Sequence, residues 1–114
     1  RMYFSLTYNK YFFKLSDTTK YSMNILKEIC SDVKCKPIVG FITNSQFWEP
    51  NPLTEKLRSQ VKDYTSKIGV DFIDFTEEIN SLGELARAPK GRHMSPAGYK
   101  VIADKIKKSL LVFD

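Results

Sequence analysis

His93 is the residue of this sequence best suited to acid–base chemistry, and it is the only histidine among the 114 residues. An imidazole accepts and returns a proton near neutral pH, so one histidine can serve as a general base. A lone histidine is more often structural or incidental, and its context must decide. Here it ends the stretch Gly91-Arg92-His93, two residues before the pair Ser95-Pro96.

The Ser95-Pro96 pair predicts the start of the last helix. A serine side chain can cap the free N–H groups of a first turn, and proline fits the first helical position because it lacks an N–H group. Capping accounts for Ser95 without a nucleophilic role. The residues we expect to face the core from this helix are Tyr99, Ile102, Ala103, Ile106 and Leu110. His93 would then lie in the loop of residues 83–94, just before the helix.

Two apolar runs predict buried parallel strands. The first extends from Ile38 to Thr43 and the second from Val70 to Phe75. Helical patterns precede, separate and follow them, an order that indicates right-handed crossovers and helices on both faces of the sheet. We therefore expect an α/β fold, with residues 1–114 in a single domain. Two strands are few for a stable sheet, so we also expect further strands upstream, in a missing part of the same domain.

The first helix is predicted from about Thr18 to Cys30, with Ser16 or Asp17 as its cap. The apolar residues we expect on its inner face are Tyr21, Ile25, Leu26 and Ile29.

Capping residues also mark the two helices that follow the strands. Asn51 precedes Pro52 at the predicted start of the second helix, and Gly69 marks its end because glycine tolerates left-handed backbone angles. After the second strand, Thr76 is expected to cap a short helix.

Ligands of open parallel sheets bind beyond the carboxyl ends of the strands. That rule selects three places in the chain: the loop after the first strand, the end of the second strand, and the loop that carries His93. The loop after the first strand contains Asn44 and Trp48, and the end of the second strand contains Asp74.

The stretch from Gly91 to Ala103, Gly-Arg-His-Met-Ser-Pro-Ala-Gly-Tyr-Lys-Val-Ile-Ala, resembles the last signature of the SGNH (GDSL-like) hydrolases. In that family the catalytic histidine precedes a small-Pro-x-Gly-Tyr helix start and an Ile-Ala pair. The order of strand, loop, amphipathic helix and strand also resembles the second half of the family's domain, over about residues 20–110. The resemblance implies a three-layer α/β/α, flavodoxin-like sandwich, of which this chain would be the C-terminal portion.

The activity implied by the resemblance is ester hydrolysis or acyl transfer through a serine acyl-enzyme, with His93 as the general base and no cofactor or metal. Family members act on lipids, small esters and acetylated polysaccharides, and some transfer acetyl groups to polymers of the cell envelope. An extracytoplasmic location is implied with them. Asn44 can donate to an oxyanion and Trp48 can line an acyl pocket; the structural alternatives are turn formation and loop packing.

The sequence departs from the family pattern in three respects. It contains no Gly-Asp-Ser motif for the nucleophile and no Gly-x-Asn-Asp motif for the oxyanion hole, so both are expected in the upstream half and the isolated chain is expected to be inactive. The family's acid, three residues before the histidine, is replaced by Lys90. Asp74 and Glu84 are the local carboxylates that can replace it. For Asp74, the alternative is a turn in which its side chain accepts backbone N–H groups.

Two alternatives to the enzyme remain. The first is a catalytically degenerate SGNH-like module that binds a glycan or a protein partner, as Lys90 and the missing nucleophile suggest. The second is a flavodoxin-like or receiver-like regulatory domain, and the lack of an acidic cluster after the first apolar run argues against it.

Composition limits the remaining classes. The net charge is +5, but the lysines are scattered along predicted helices; a solvated surface is the simpler interpretation and an anion-attracting patch is the other. No nucleic-acid motif and no membrane-spanning run is present. Cys30 and Cys35 have the wrong spacing for a CxxC metal or redox motif, and the sequence leaves open whether they are bonded.

Overall fold

The computed structural model describes residues 14–43, 52–91 and 93–113. In chain order the elements are α1 (Asp17–Val33), β1 (Ile38–Phe41), α2 (Pro52–Ile68), β2 (Asp71–Asp74), α3 (Thr76–Leu82), a 3-10 turn (Gly83–Ala86) and α4 (Pro96–Phe113). The two strands pair in parallel, so the predicted mixed α/β class is confirmed.

Both strands are shorter than predicted. β1 ends at Phe41, although the apolar run continues to Thr43, and β2 begins at Asp71. Beyond β2, the Phe75 N–H still donates to the Phe41 carbonyl over 3.1 Å. Strand length therefore follows the extent of hydrogen-bonded pairing, which the apolar pattern does not encode.

The chain divides into two compact units, and each strand contributes residues to both. The first unit comprises residues 1–39 and 51–72, and its described part contains α1 and α2. Its buried core consists of Leu15, Met23 and Val61. Partly buried apolar residues surround that core: Val39, Leu57, Tyr64, Ile68 and Phe72. The prediction of a single domain stays a prediction.

The limits of α1 follow from its end residues. Ser16 is the N-cap, as predicted, because its Oγ accepts the Thr19 N–H over 3.1 Å. At the other end Lys34 adopts a left-handed conformation, with φ of 60°. A disulfide bond then joins Cys30 to Cys35, a separation of five residues. The question that the sequence left open is answered in favour of the bonded form.

The predicted inner face of α1 is wrong. Tyr21 is 67% exposed and Ile29 is 53% exposed, whereas Met23 and Cys30 are the buried residues of the helix. The burial of Met23 with Val61 turns this adjacent side of α1 inward. In the part of the chain that the structure describes, the stripe containing Tyr21 and Ile29 is therefore left largely open to solvent.

α2 agrees with the predicted boundaries as far as they are described. It begins at Pro52 and buries Val61 and Thr65. Its end is marked by Gly69, which has a φ of 75° and donates its N–H to the Ser66 carbonyl over 3.3 Å. The predicted cap, Asn51, lies outside the described residues.

The second unit comprises residues 40–50 and 73–114. Here α3, the 3-10 turn and α4 pack on one another, with Ile79 and Ala86 fully buried at 0% exposure. Gly40 makes room for the Phe75 ring, because a Cβ atom at Gly40 would lie 2.9 Å from the Phe75 Cε2 atom. The segment of residues 83–94, predicted to be a loop, begins with the 3-10 turn at residues 83–86, so only its later part is a loop.

The predicted inner face of α4 is correct only at Ile102, which is buried. Tyr99, Ile106 and Leu110 are exposed by 57%, 39% and 44%, and Ala103 is exposed as well. The burial of Gly98 with Ile102 turns a neighbouring side of the helix inward instead. None of the helices in the described ranges is long and apolar enough to cross a membrane.

Candidate functional site

The His93 loop, residues 87–95, is closed by a short antiparallel pairing. Arg87 and Met94 form an isolated β-bridge. On one side of this bridge Ser95 N–H donates to the Ala86 carbonyl, and on the other Ala88 N–H donates to the His93 carbonyl, each over 2.9 Å. The backbone of His93 is therefore tied across the loop to the residues that follow the 3-10 turn.

Ser95 connects this loop to α4 and to the 3-10 turn. Its hydroxyl group donates a hydrogen bond to the Leu85 carbonyl and accepts one from the Gly98 N–H over 3.1 Å. Its carbonyl accepts the Tyr99 N–H over 3.0 Å. Ser95 is thus the N-cap of a helix that starts at Pro96, as predicted. Because its hydroxyl proton is committed to Leu85, the structure agrees with a capping role.

Gly98 lets α4 approach the 3-10 turn. A Cβ atom at this position would lie 2.7 Å from the Ala86 carbonyl oxygen and 3.2 Å from the Met94 Cβ atom. Sequence reasoning used Gly98 only as part of the family signature and missed this contact. The available signal was the glycine itself. Glycine within a helix is less stable than alanine, so its presence in a first turn indicates that another segment approaches closely there.

The imidazole of His93 lies at the surface. His93 is exposed, and its ring passes close to Gly91: a Cβ atom on the glycine would be 3.4 Å from the His93 Cδ2 atom. Gly91 has a φ of 82°, a left-handed conformation that glycine adopts without strain. Within the described ranges no side chain forms a hydrogen bond or an ion pair with the imidazole. The ring is therefore accessible to a reacting group rather than enclosed in the core.

Asp74 ends β2, at the position predicted for it. Its Oδ1 atom accepts the Thr76 N–H over 2.9 Å, and its carbonyl accepts a hydrogen bond from the Lys105 ammonium over 2.6 Å. The first contact is the turn-forming role that the sequence left as the alternative to catalysis. The hydrogen bonds described for Asp74 run to Thr76 and Lys105, and not to His93.

The prediction that Thr76 caps α3 is wrong. Thr76 is the first helical residue, and the Asp74 carboxylate satisfies its N–H. Its own Oγ1 atom is buried without a hydrogen-bond partner among the described residues. The Asp74 side chain instead forms an Asx turn and satisfies the Thr76 N–H, one of the free donors of the first helical turn.

Lys105 links α4 to the end of β2. Besides the Asp74 carbonyl, its ammonium contacts both carboxylate oxygens of Glu78, at 3.0 and 2.9 Å. Beside this ion pair lies an open groove of about 390 Å³, lined by Glu78, Val101, Asp104, Lys105, Lys108 and Ser109. His93 is not part of its lining, so the groove does not extend the candidate site.

The remaining predicted site residues are not joined to His93. Glu84 forms an ion pair with Arg87 at 2.8 Å, so its carboxylate is engaged elsewhere. Lys90, at the family's acid position, is exposed on the His93 loop. Asn44 and Trp48 lie outside the described residues. Over residues 14–43, 52–91 and 93–113, no group of three or more His, Cys, Asp or Glu side chains is placed to hold a metal ion.

No known protein family, no curated protein and no solved structure matches this chain. The resemblance of residues 91–103 to the SGNH signature therefore stays a prediction from the sequence.

Proposed function

We propose that this chain supplies the general base of an SGNH-type serine esterase or acyltransferase, with His93 in that role. The observation that carries the proposal is the exposed imidazole of His93 on a loop whose backbone is hydrogen-bonded across its base. A general base must be both accessible to the reacting group and held in a defined position. The His93 loop meets both requirements.

We further propose that the complete fold is a three-layer α/β/α sandwich and that this chain forms its C-terminal portion. Over the residues that the structure describes, the sheet has two strands, which is small for independent stability. Apolar side chains that remain exposed on two helices are consistent with a larger core; they include Tyr21 and Ile29 on α1 and Tyr99 and Leu110 on α4. The proposed upstream half would cover them and provide the remaining strands.

In the proposed reaction, a serine of the upstream half attacks the carbonyl carbon of an ester while His93 accepts its hydroxyl proton. The resulting tetrahedral intermediate collapses, and the imidazolium returns the proton to the departing alcohol. The acyl-serine then reacts with water in an esterase, or with a sugar hydroxyl in a transferase. The substrate is a lipid ester or an acetylated glycan, and the reaction requires no cofactor.

Asp74 is the proposed partner that orients the imidazole. It lies at the carboxyl end of β2, where parallel sheets place their functional groups. Glu84 is already paired with Arg87, and Lys90 cannot accept a hydrogen bond from an imidazole N–H. If the Asp74 carboxylate does not reach His93 in the complete fold, the site works as a Ser–His pair.

The Cys30–Cys35 disulfide supports an extracytoplasmic location for the proposed enzyme. Disulfide bonds persist in oxidising compartments and are rare where thiols are kept reduced. A cell-envelope substrate would be met in such a compartment.

The decisive experiment compares variants of the complete protein in the hydrolysis of 4-nitrophenyl acetate. His93→Ala is expected to reduce kcat by roughly 10³-fold or more, as loss of a catalytic base does. Lys107→Ala, an exposed position on α4, serves as the matched control and should retain full turnover. Turnover that is unchanged in His93→Ala would refute the assignment of His93 as the base.

A second variant tests the family's acid position. Lys90→Asp places a carboxylate three residues before His93, and we expect it to raise kcat if the base lacks a strong orienting partner. A loss of turnover on this substitution would show that Lys90 itself contributes to the site, contrary to the proposal.

The alternative is a non-catalytic SGNH-like module that binds a glycan or a protein. It is favoured by the exposed Lys90 and by the lack, in the described part of the chain, of a carboxylate hydrogen-bonded to His93. A fluorophosphonate probe that labels activated serines separates the two functions. Labelling of the complete protein that is lost in His93→Ala supports the enzyme, and no labelling of the wild type supports the binding module.

A further inference from the structure

We infer that Ser95 is a positioning residue for His93, acting through the hydrogen bonds of its hydroxyl group. The inference rests on the proposed function, because it concerns the placement of the proposed base. Ser95 does not touch a reacting group in this scheme. It determines where the backbone that carries the imidazole is held.

The Ser95 hydroxyl joins two elements that flank His93. The hydroxyl donates a hydrogen bond to the Leu85 carbonyl, which belongs to the 3-10 turn. It accepts a hydrogen bond from the Gly98 N–H, which belongs to the first turn of α4. Ser95 is only 8% exposed and Gly98 is buried. Loss of the hydroxyl would therefore leave the buried Gly98 N–H without this partner at a position that water reaches poorly.

The backbone extends this connection to the imidazole. Ser95 N–H binds the Ala86 carbonyl, Met94 pairs with Arg87, and the His93 carbonyl accepts the Ala88 N–H. Each of these contacts joins the segment of residues 86–88 to the segment of residues 93–95. If the hydroxyl anchor at Ser95 is removed, the base of the loop loses its side-chain link to the 3-10 turn and keeps the backbone hydrogen bonds.

The close contact between Gly98 and the Ala86 carbonyl leaves the start of α4 little freedom to shift toward the turn. Ser95 restrains movement in the opposite direction, away from Leu85. Together they define the distance between α4 and the 3-10 turn. A displacement of about 1 Å at a catalytic group can reduce a rate by about 10²-fold, so this distance matters for a base.

The test compares two serine N-caps of the same chain. Ser95→Ala and Ser16→Ala each remove a capping hydroxyl, but Ser16 caps α1 and lies in the other unit. Ser95→Thr keeps a hydroxyl that can form both hydrogen bonds. In the complete protein, kcat and KM for 4-nitrophenyl acetate are measured for each variant, with rates referred to the folded fraction determined by circular dichroism.

We expect Ser95→Ala to reduce kcat by roughly 10- to 100-fold with KM changed by less than about 2-fold, because the base is displaced while binding is retained. Ser95→Thr should recover most of the lost kcat. Ser16→Ala should keep the wild-type kcat although it also loses a helix cap. A structural role alone would lower the folded fraction in both alanine variants and leave kcat per folded molecule unchanged in both.

A second measurement does not depend on activity. Hydrogen exchange of the Ala88 amide, which binds the His93 carbonyl, reports whether the loop stays closed. We expect exchange at Ala88 to become at least about 10-fold faster in Ser95→Ala and to stay unchanged in Ser16→Ala.

The outcomes separate the two proposals. If His93→Ala abolishes turnover but Ser95→Ala changes neither kcat nor Ala88 exchange, the positioning role is overturned and the base assignment stands. If His93→Ala leaves turnover unchanged, the base assignment fails. In that case, faster Ala88 exchange in Ser95→Ala supports control of the loop by Ser95, and unchanged exchange overturns it.

Discussion

Gly98 packs against Ala86 so closely that a Cβ atom on the glycine would lie 2.7 Å from the Ala86 carbonyl oxygen. This contact brings the first turn of α4 onto the 3-10 turn, and the Ser95 hydroxyl binds the neighbouring Leu85 carbonyl. Two residues of the stretch that resembles the SGNH signature thus have structural roles that can be tested without an assay of activity. They also define the base of the loop that carries His93.

We predict that Gly98→Ala destabilises the protein. Alanine is favoured over glycine within a helix by about 1 kcal/mol, but overpacking typically costs about 1–3 kcal/mol. The steric term should dominate because the opposing atom belongs to the backbone and cannot rotate away. We expect a net loss of up to about 2 kcal/mol in the free energy of unfolding, measured by urea denaturation. Ala97→Ser, at the exposed neighbouring position, is the control; a stabilised Gly98→Ala would contradict the contact.

Lys105→Met should lower stability by about 1–2 kcal/mol, because it removes an ion pair with Glu78 and a hydrogen bond to the Asp74 carbonyl. The two side chains of the ion pair are 31% and 34% exposed, so the charge interaction alone should be worth less than about 1 kcal/mol and should weaken in salt. A double-mutant cycle with Glu78→Gln isolates it. Lys107→Met, an exposed neighbour, should be neutral; equal effects at both lysines would argue against a specific role for Lys105.

Reduction of the Cys30–Cys35 disulfide should destabilise the protein by about 2 kcal/mol. The bond closes a loop of only a few residues, so it removes a modest amount of chain entropy from the unfolded state. Unfolding is followed with and without dithiothreitol, and the Cys30→Ala/Cys35→Ala double variant should not respond to the reductant. If the denatured, unreduced protein reacts with iodoacetamide at both cysteines, the bond is absent.

The Lys100–Asp104 ion pair, at 2.9 Å on the surface of α4, predicts a small dependence of stability on pH. The hydrogen bond and the charge of Lys100 hold the pKa of the Asp104 carboxyl below its ordinary value of 3.8. A lowered pKa in the folded state means that the pair stabilises the protein fully above the ordinary value and loses this effect as the pH falls through the folded-state pKa.

At the alkaline end the direction is reversed. The hydrogen bond to Asp104 raises the pKa of Lys100 above its ordinary value of 10.5, so the contribution is complete below that value and is lost as the pH rises through the raised pKa. We expect Asp104→Asn to have a slightly lower Tm than wild type near neutral pH, with the difference vanishing in strong acid and in high salt. A difference that persists in acid would show that Asp104 acts through something other than its charge.

Several helix ends, although not the start of α3, could be predicted because capping depends on residues that are close in sequence. Ser16 and Ser95 cap α1 and α4 as expected, and Gly69 follows α2 with a positive φ. These hydrogen bonds and backbone angles involve at most a few consecutive residues, so the local sequence contains the information. The α/β class was predictable for a similar reason, since it follows from the order of apolar and amphipathic segments.

The buried faces of the helices could not be predicted in the same way. The apolar spacing of α1 and α4 selected Tyr21 and Tyr99, both of which are exposed, and did not select Met23 or Gly98, which are buried. Periodicity shows that a helix has an apolar side, but the side that is covered depends on which other elements pack against it. That choice is made by long-range contacts.

For the candidate site, the sequence by itself singled out His93 as the proposed base and gave its place just before a capped helix. Only the tertiary structure decided how the loop that carries His93 is held. The Ser95 hydroxyl reaches Leu85, ten residues earlier, and Gly98 meets the Ala86 carbonyl across the packed turn. It also assigned the Asp74 carboxylate to the Thr76 N–H. Each of these contacts depends on the distance between backbone segments, which is set by packing of the whole second unit and is not encoded in the spacing of any motif.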